Sequence, residues 1–171
     1  YFSKHLHILL GFPNTYFAKL NSLGEIDNLN SVTNEVKLMM DPDTAFSNDA
    51  SESDEIDKFG SSDVMDLNRL QLLNSYSCTE CGRCTSVCPA NITGKKLSPR
   101  KIMMDTRDRV EAVGRNIDTN KGEFKPDGKE LLSDYISKEE LWACTSCNAC
   151  VEACPIGIDP LSIIMDMRRY L

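Results

Sequence analysis

Eight cysteines stand in two short runs, Cys78-x2-Cys81-x2-Cys84-x3-Cys88-Pro89 and Cys144-x2-Cys147-x2-Cys150-x3-Cys154-Pro155, and the 171 residues contain no others. Thiolates are soft ligands, so a repeated spacing of this kind raises three chemistries: a zinc site, a disulfide framework or an iron–sulfur cluster. Zinc takes its ligands as two separated Cys-x2-Cys pairs or as mixtures with histidine, which four cysteines in one run fit poorly. Disulfides would scatter partners along a small secreted chain, and no signal peptide is visible. Three thiolates at two-residue intervals can instead curl round one corner of an iron–sulfur cubane, leaving the fourth iron to a cysteine from elsewhere. The spacing therefore predicts two 4Fe-4S clusters.

This run, closed by proline, is the one in which the last cysteine of each stretch ligates the other cluster. The assignment is crossed. Cys78, Cys81, Cys84 and Cys154 are expected to hold one cluster, and Cys88, Cys144, Cys147 and Cys150 the other. Pro89 and Pro155 lack a backbone donor and fix their own φ, which turns the chain away from the cluster. Thr79, Gly82, Thr85, Thr145, Ser146 and Ala149 keep bulk away from it, while loop amides can donate to sulfur. Two clusters with their thiolates would carry the formal charge from −7 to about −11, which Arg83, Lys95 and Lys96 could partly offset. No Ser/His/Asp set and no phosphate loop accompanies the cysteines, so one-electron relay is expected rather than chemistry on a substrate. Trp142, beside Cys144, is expected in the core, packed on a cluster-bearing helix.

The elements that must position these thiols read as helices. Asp63 can cap a helix carrying Val64, Leu67, Leu70 and Leu73 into the first run. Ser98-Pro99 starts another, with Met103, Thr106, Val110 and Val113 on its buried face and Gly114 as its terminator. Residues 116–128 read as loop, Ser137 with Glu140 as a capping box before the second run, and Asp159-Pro160 as the start of a final helix through Leu161, Ile164 and Met165. No alternating strand pattern of useful length appears, so the fold class is all-α.

Charge divides the chain into three. Residues 1–20 carry two bases and no acid, residues 21–60 two bases and ten acids, and residues 61–171 fifteen bases and sixteen acids. The acidic region, with Asp49–Asp57 at its centre, is expected to be a solvated linker. Lys95-Lys96 with Arg100-Lys101 lack interleaved aromatics, so no nucleic-acid partner is expected. Residues 1–20 hold five of the chain's aromatics, and the charge-free run from His5 to Ala18 is too short for a spanning helix, which needs roughly 18 or more residues. That fits either the cytoplasmic end of a membrane helix or an amphipathic core helix. Beginning at Tyr1 and ending at Leu171, the chain reads as an internal piece of a longer protein.

The 55 residues between Cys88 and Cys144 far exceed the gap in compact bacterial ferredoxins. Residues 61–171 instead resemble the α-helical ferredoxin module of the iron–sulfur subunits of succinate dehydrogenase, anaerobic glycerol-3-phosphate dehydrogenase and heterodisulfide reductase. Phe2-Ser3-Lys4-His5-Leu6-His7 with Ile8 and Pro13 resembles the end of the last helix in the cytochrome b (gamma) subunit of respiratory nitrate reductases, which implies His7 as an axial ligand of haem b. His5 and His7 lie about 200° apart round a helix and cannot both face one haem. Tyr76–Pro89, Leu97–Arg109 and Leu141–Cys150 resemble heterodisulfide-reductase-like iron–sulfur oxidoreductases of Bacteroidetes, in which such a cytochrome domain is fused to the ferredoxin domain and cysteine-rich CCG domains follow. The resemblance implies a membrane-associated respiratory oxidoreductase at the cytoplasmic face of the bacterial inner membrane. Its electrons would pass between a soluble partner, such as electron-transfer flavoprotein or a thiol/disulfide couple, and membrane quinone. Two other readings stand beside it: a soluble iron–sulfur subunit of a flavin dehydrogenase, and a non-catalytic structural or redox-sensing module. Residues 1–77 lack the further cysteines that a succinate-dehydrogenase-type subunit would carry.

Overall fold

The computed structural model describes residues 5–22, 24–26, 28–40 and 58–171; the acidic stretch Asp49–Asp57 lies outside them. Nine α-helices appear among the described residues: α1 Leu6–Tyr16, α2 Asn30–Met40, α3 Arg69–Ser77, α4 Arg83–Ser86, α5 Pro89–Ile92, α6 Pro99–Thr119, α7 Lys138–Trp142, α8 Ala149–Glu152 and α9 Pro160–Tyr170. The described residues contain no strand, only one isolated bridge between Leu132 and Ile136, so the architecture is helical.

The long helix α6 is the spine. Its N-cap Ser98 accepts from the Lys101 amide and Pro99 occupies the first turn, where the missing N–H costs nothing. Ile102, Met103, Thr106, Arg109 and Val113 form its buried face against α3, α9 and the turn Leu131–Tyr135. Gly114 does not terminate it. The helix continues five residues further to Thr119, because Ile117 extends the apolar stripe onto the core and outweighs the weak helix propensity of one glycine. The loop expected from residue 116 accordingly begins only after Asn120 caps the last turn.

Asp63 does not start one long helix. It caps a single 3-10 turn, Val64–Asp66, after which Leu67 is extended and a second capping box, Asn68 with Gln71, opens α3. Asp63 is diverted by Arg109, whose side chain is fully buried and donates to both Asp63 oxygens, at 2.9 and 2.7 Å, and to Asp127. Beside that guanidinium the Asp127 carboxyl is held down at about 2. A buried arginine must be paired on several sides to be tolerated, and here the pairing ties the start of the module to α6 and to the loop before Leu131.

The packed unit begins slightly before residue 61. Lys58 Nζ donates to Asp66 at 2.5 Å and to Ser62 at 2.8 Å. Gly60, at φ +73°, passes so close to α9 that a Cβ would lie 2.1 Å from the Asp166 carbonyl, which accepts from the Ser61 amide at 3.0 Å. Within the region read as linker, residues 21–60, α2 is an ordered helix. Its apolar Val32, Val36 and Met39 recur at helical spacing beneath the acidic composition, and all three are exposed.

The N-terminal α1 packs on α3. Ser77 Oγ donates to the Leu10 carbonyl at 3.2 Å, and buried Asn14 donates through Nδ2 to the Ile156 carbonyl at 2.9 Å. Its other side leaves Leu9, Phe12 and Tyr16 between 69% and 83% exposed. Among the described residues no helix is long and apolar enough to cross a membrane.

Candidate metal centre

The two cysteine runs fold as copies of one loop. Cys78 ends α3, Glu80 and Gly82 take left-handed conformations (φ 56° and 81°), Cys84 lies in α4, and Cys88 precedes Pro89 at the start of α5. In the second run Ser146 and Asn148 take the same conformations (φ 55° and 59°), Cys150 lies in α8, and Cys154 precedes Pro155. Left-handed residues between successive cysteines turn backbone N–H groups inward, toward sulfur. The Ser146 amide donates to Cys144 Sγ at 3.4 Å, the Glu80 amide to Cys78 and the Arg83 amide to Cys81. Gly82 takes this backbone without strain; Asn148 is the residue type that tolerates it best after glycine.

Helices α4 and α8 pack on each other, which sets the two loops side by side. Cys78, Cys81, Cys84 and Cys154 together line one cleft of about 490 Å³, which Cys150 also borders and which Met103, Ile156 and Ile158 wall. Cys154 is thus among the first-run cysteines, although 70 residues and more separate it from them in sequence. Cys88 and Cys147 both act electrostatically on Cys144, and Cys84 and Cys88 of the first run both act on Cys150. All eight thiols are free, the second residue of each run, Cys81 and Cys147, is exposed, and the third of the second run, Cys150, is buried. Among the described residues no three His, Cys, Asp or Glu side chains gather tightly enough for one metal ion; the thiols stand apart round a space.

Burial sets the thiol chemistry. It pushes Cys78, Cys84 and Cys144 above the ordinary value, and Cys150 up to about 12. Cys81 goes the other way, lowered by the Arg83 amide. The donors fit iron–sulfur cubanes: eight free thiols on two adjoining loops, inward amides for the sulfurs and apolar walls against water.

Three features depart from the sequence reading or lie beyond it. Trp142, expected in the core, is 62% exposed. Helix α7 ends there, and the indole lies under the Arg168 guanidinium, 5.0 Å from ring centre to Cζ, instead of packing inward. Arg168 itself donates to the carbonyls of Leu141 and Cys144, holding the start of the second loop. The left-handed positions Glu80, Ser146 and Asn148 carry no strong sequence signal, although the match of Asn148 to Gly82 is visible when the two runs are aligned. His7 lies in the first turn of α1 and is half-buried.

The profile of a protein family described as the 4Fe-4S dicluster domain matches residues 77–158. Among known proteins, the chain is similar to the probable iron-sulfur-binding oxidoreductase FadF of Bacillus subtilis, 30% identical over 99% of this chain and 25% of that protein. It is also similar to the EtfAB:quinone oxidoreductase of Syntrophomonas wolfei, 33% identical over 69% of this chain and 19% of that protein. A third relative is a subunit of the ferredoxin/F(420)H(2)-dependent CoB-CoM heterodisulfide reductase of Methanosarcina acetivorans, 34% identical over 64% of this chain and 53% of that protein. The chain therefore spans between about a fifth and about half of these relatives. No solved structure matches it.

Proposed function

We propose, from a segment that matches the 4Fe-4S dicluster domain and carries eight free thiols, that this protein relays single electrons within a membrane-associated oxidoreductase similar to heterodisulfide reductase. Cys78, Cys81, Cys84 and Cys154 would hold one cluster, and Cys88, Cys144, Cys147 and Cys150 the other. A bound 4Fe-4S cluster supplies one-electron chemistry with little geometric change. The chain's own part is to hold the sulfurs, to aim the amides of Glu80, Arg83 and Ser146 at them, and to exclude water with Met103, Ile156 and Ile158. No side chain is required as acid, base or nucleophile.

The observation that carries this reading is the meeting of second-run thiols with first-run ones: Cys154 and Cys150 line one cleft with Cys78, Cys81 and Cys84, and of the two the spacing favours Cys154 as the fourth ligand. The wider reading, in which electrons pass between a soluble partner such as electron-transfer flavoprotein and a membrane quinone at the cytoplasmic face, draws on the relative named EtfAB:quinone oxidoreductase and on α1. Helix α1 presents exposed Leu9, Phe12 and Tyr16 on one side while its other side grips α3 and the Ile156 carbonyl, next to the first set of thiols. His7 is proposed as one axial ligand of a haem; the two histidines here cannot together make the pair that a bis-histidine haem needs, and no step is drawn through it. Cys154→Ser tests the crossed pairing. Paramagnetic resonance of the reduced variant should lose the cluster of Cys78, Cys81 and Cys84 and keep its neighbour, and loss of the neighbour alone overturns the pairing.

A further inference from the structure

From Cys81 to Met104 the chain carries five bases and no acid, in a protein whose formal charge is −7. Side-chain hydrogen bonds fold this segment on itself beside the first set of thiols. Thr85 Oγ1 and Ser98 Oγ lie 2.9 Å apart, the Arg100 amide donates to Thr85 Oγ1 at 3.3 Å, and Asn91 Nδ2 donates to the Leu97 carbonyl at 3.0 Å. The charges therefore belong to one small surface formed by α4, α5 and the first turn of α6.

Arg83, Lys95, Lys96 and Arg100 are exposed on it. Lys96 pairs with Glu139 at 2.6 Å and Lys101 with Asp105 and Glu140, whereas Arg83, Lys95 and Arg100 face no carboxylate among the described residues. Arg83 and Arg100 line the same cleft as Cys78, Cys81, Cys84, Cys150 and Cys154, and Cys81 is exposed there. Two apolar side chains, Val87 at 41% and Ile92 at 68% exposed, lie among the bases. Apolar contacts with unpaired arginines beside them are what protein interfaces enrich. Bases serving only to offset cluster charge would have no need of exposed apolar neighbours.

Resting on the reading of the thiols as cluster ligands, we propose that this face docks the acidic surface of a soluble one-electron carrier protein, at the edge of the cluster held by Cys78, Cys81, Cys84 and Cys154. The carrier gives up one electron and the cluster gains it, or the reverse; no proton or bond changes hands. A local positive field on a negative molecule orients the encounter as well as attracting it, because the rest of the surface repels an acidic partner. An anionic lipid surface is the other occupant that such charges suit. The aromatic side chains that favour a lipid interface stand on α1, however, and the basic segment has none.

The test uses the full chain with its clusters, compared with R83E/R100E and with K95E. Fluorescence anisotropy of a labelled oligoglutamate should report binding at low salt that weakens as salt rises, and roughly tenfold weaker binding in R83E/R100E. In stopped flow, the dithionite-reduced chain passes one electron per cluster to iron(III)-EDTA, an anion, or to hexaamminecobalt(III), a cation. The proposal predicts that added salt slows the anion and not the cation, and that the arginine reversals abolish the slowing. An anion rate that rises with salt in the unaltered chain, as the net charge alone dictates, overturns it. So does sedimentation with phosphatidylglycerol vesicles that the same reversals abolish, without oligoglutamate binding. K95E, a surface change, carries the test if the double variant fails to fold, with a smaller loss in the same direction expected. Failure of the cluster reading would be seen separately, as a chain without visible absorbance before any oxidant is added.

Discussion

Burial governs four of the thiols more than their neighbours do. Cys78, Cys84 and Cys144 lie above their ordinary value of 9.0, and Cys150 reaches about 12, so each is a neutral thiol near neutral pH in the metal-free chain. Iron must displace those protons, and displacement becomes easier as pH rises. Iron and sulfide uptake by the metal-free chain should therefore climb steadily between about pH 7 and 9 and release acid into the medium, measured with an indicator dye. A plateau already reached at the lower end would contradict the burial. The folded values lie above the unfolded ones, so this contribution to stability is full below about pH 9 and is lost as pH rises toward 12; the metal-free fold should weaken in base. These cysteines were legible from spacing alone because cluster ligation constrains sequence separation directly. Glu80 and Ser146 were not, since a left-handed backbone is unmarked by residue type unless glycine or asparagine occupies it, as at Gly82 and Asn148.

Helices α3, α6 and α9 differ in how openly their sequences declare them. The caps at Ser98, Ser137 and Asp159 work as their residue types imply, each accepting from an amide three residues on. The buried face of α3 was hidden because it is polar: Gln71, Asn74, Ser75 and Ser77 are buried, with Gln71 Nε2 donating to Asp166 at 2.6 Å. Arg109 was overlooked for a related reason, as a charged residue within an apolar stripe reads as exposed until its two aspartates, 46 and 18 residues away, are seen. Gly114 misled in the opposite direction, since a glycine near the expected end of a stripe serves equally as terminator or as a weak interior residue. Its surroundings are open, with nothing within 4 Å of the place a Cβ would take. Gly114→Ala should thus stabilise the chain by about 0.5–1 kcal/mol in urea denaturation. A loss of stability would mean that the helix turns left-handed there.

Over the molecule as a whole, the two cysteine loops, α6 and α9 form one packed body, and α1 is fastened to it at Ser77 and Ile156 rather than trailing from it. The all-helical class followed from caps and periodicity. The attachment of α1 did not, because its two anchors are a hydroxyl and an amide reaching backbone carbonyls 67 and 142 residues away, a relation that leaves no local pattern. Electron relay by this chain requires that the thiols grip iron and sulfide. Quantitative iron and acid-labile sulfide analysis of anaerobically purified, correctly folded protein tests that most directly. About eight of each per chain are predicted, as two 4Fe-4S clusters require; a folded protein free of both, or holding zinc in their place, would contradict it.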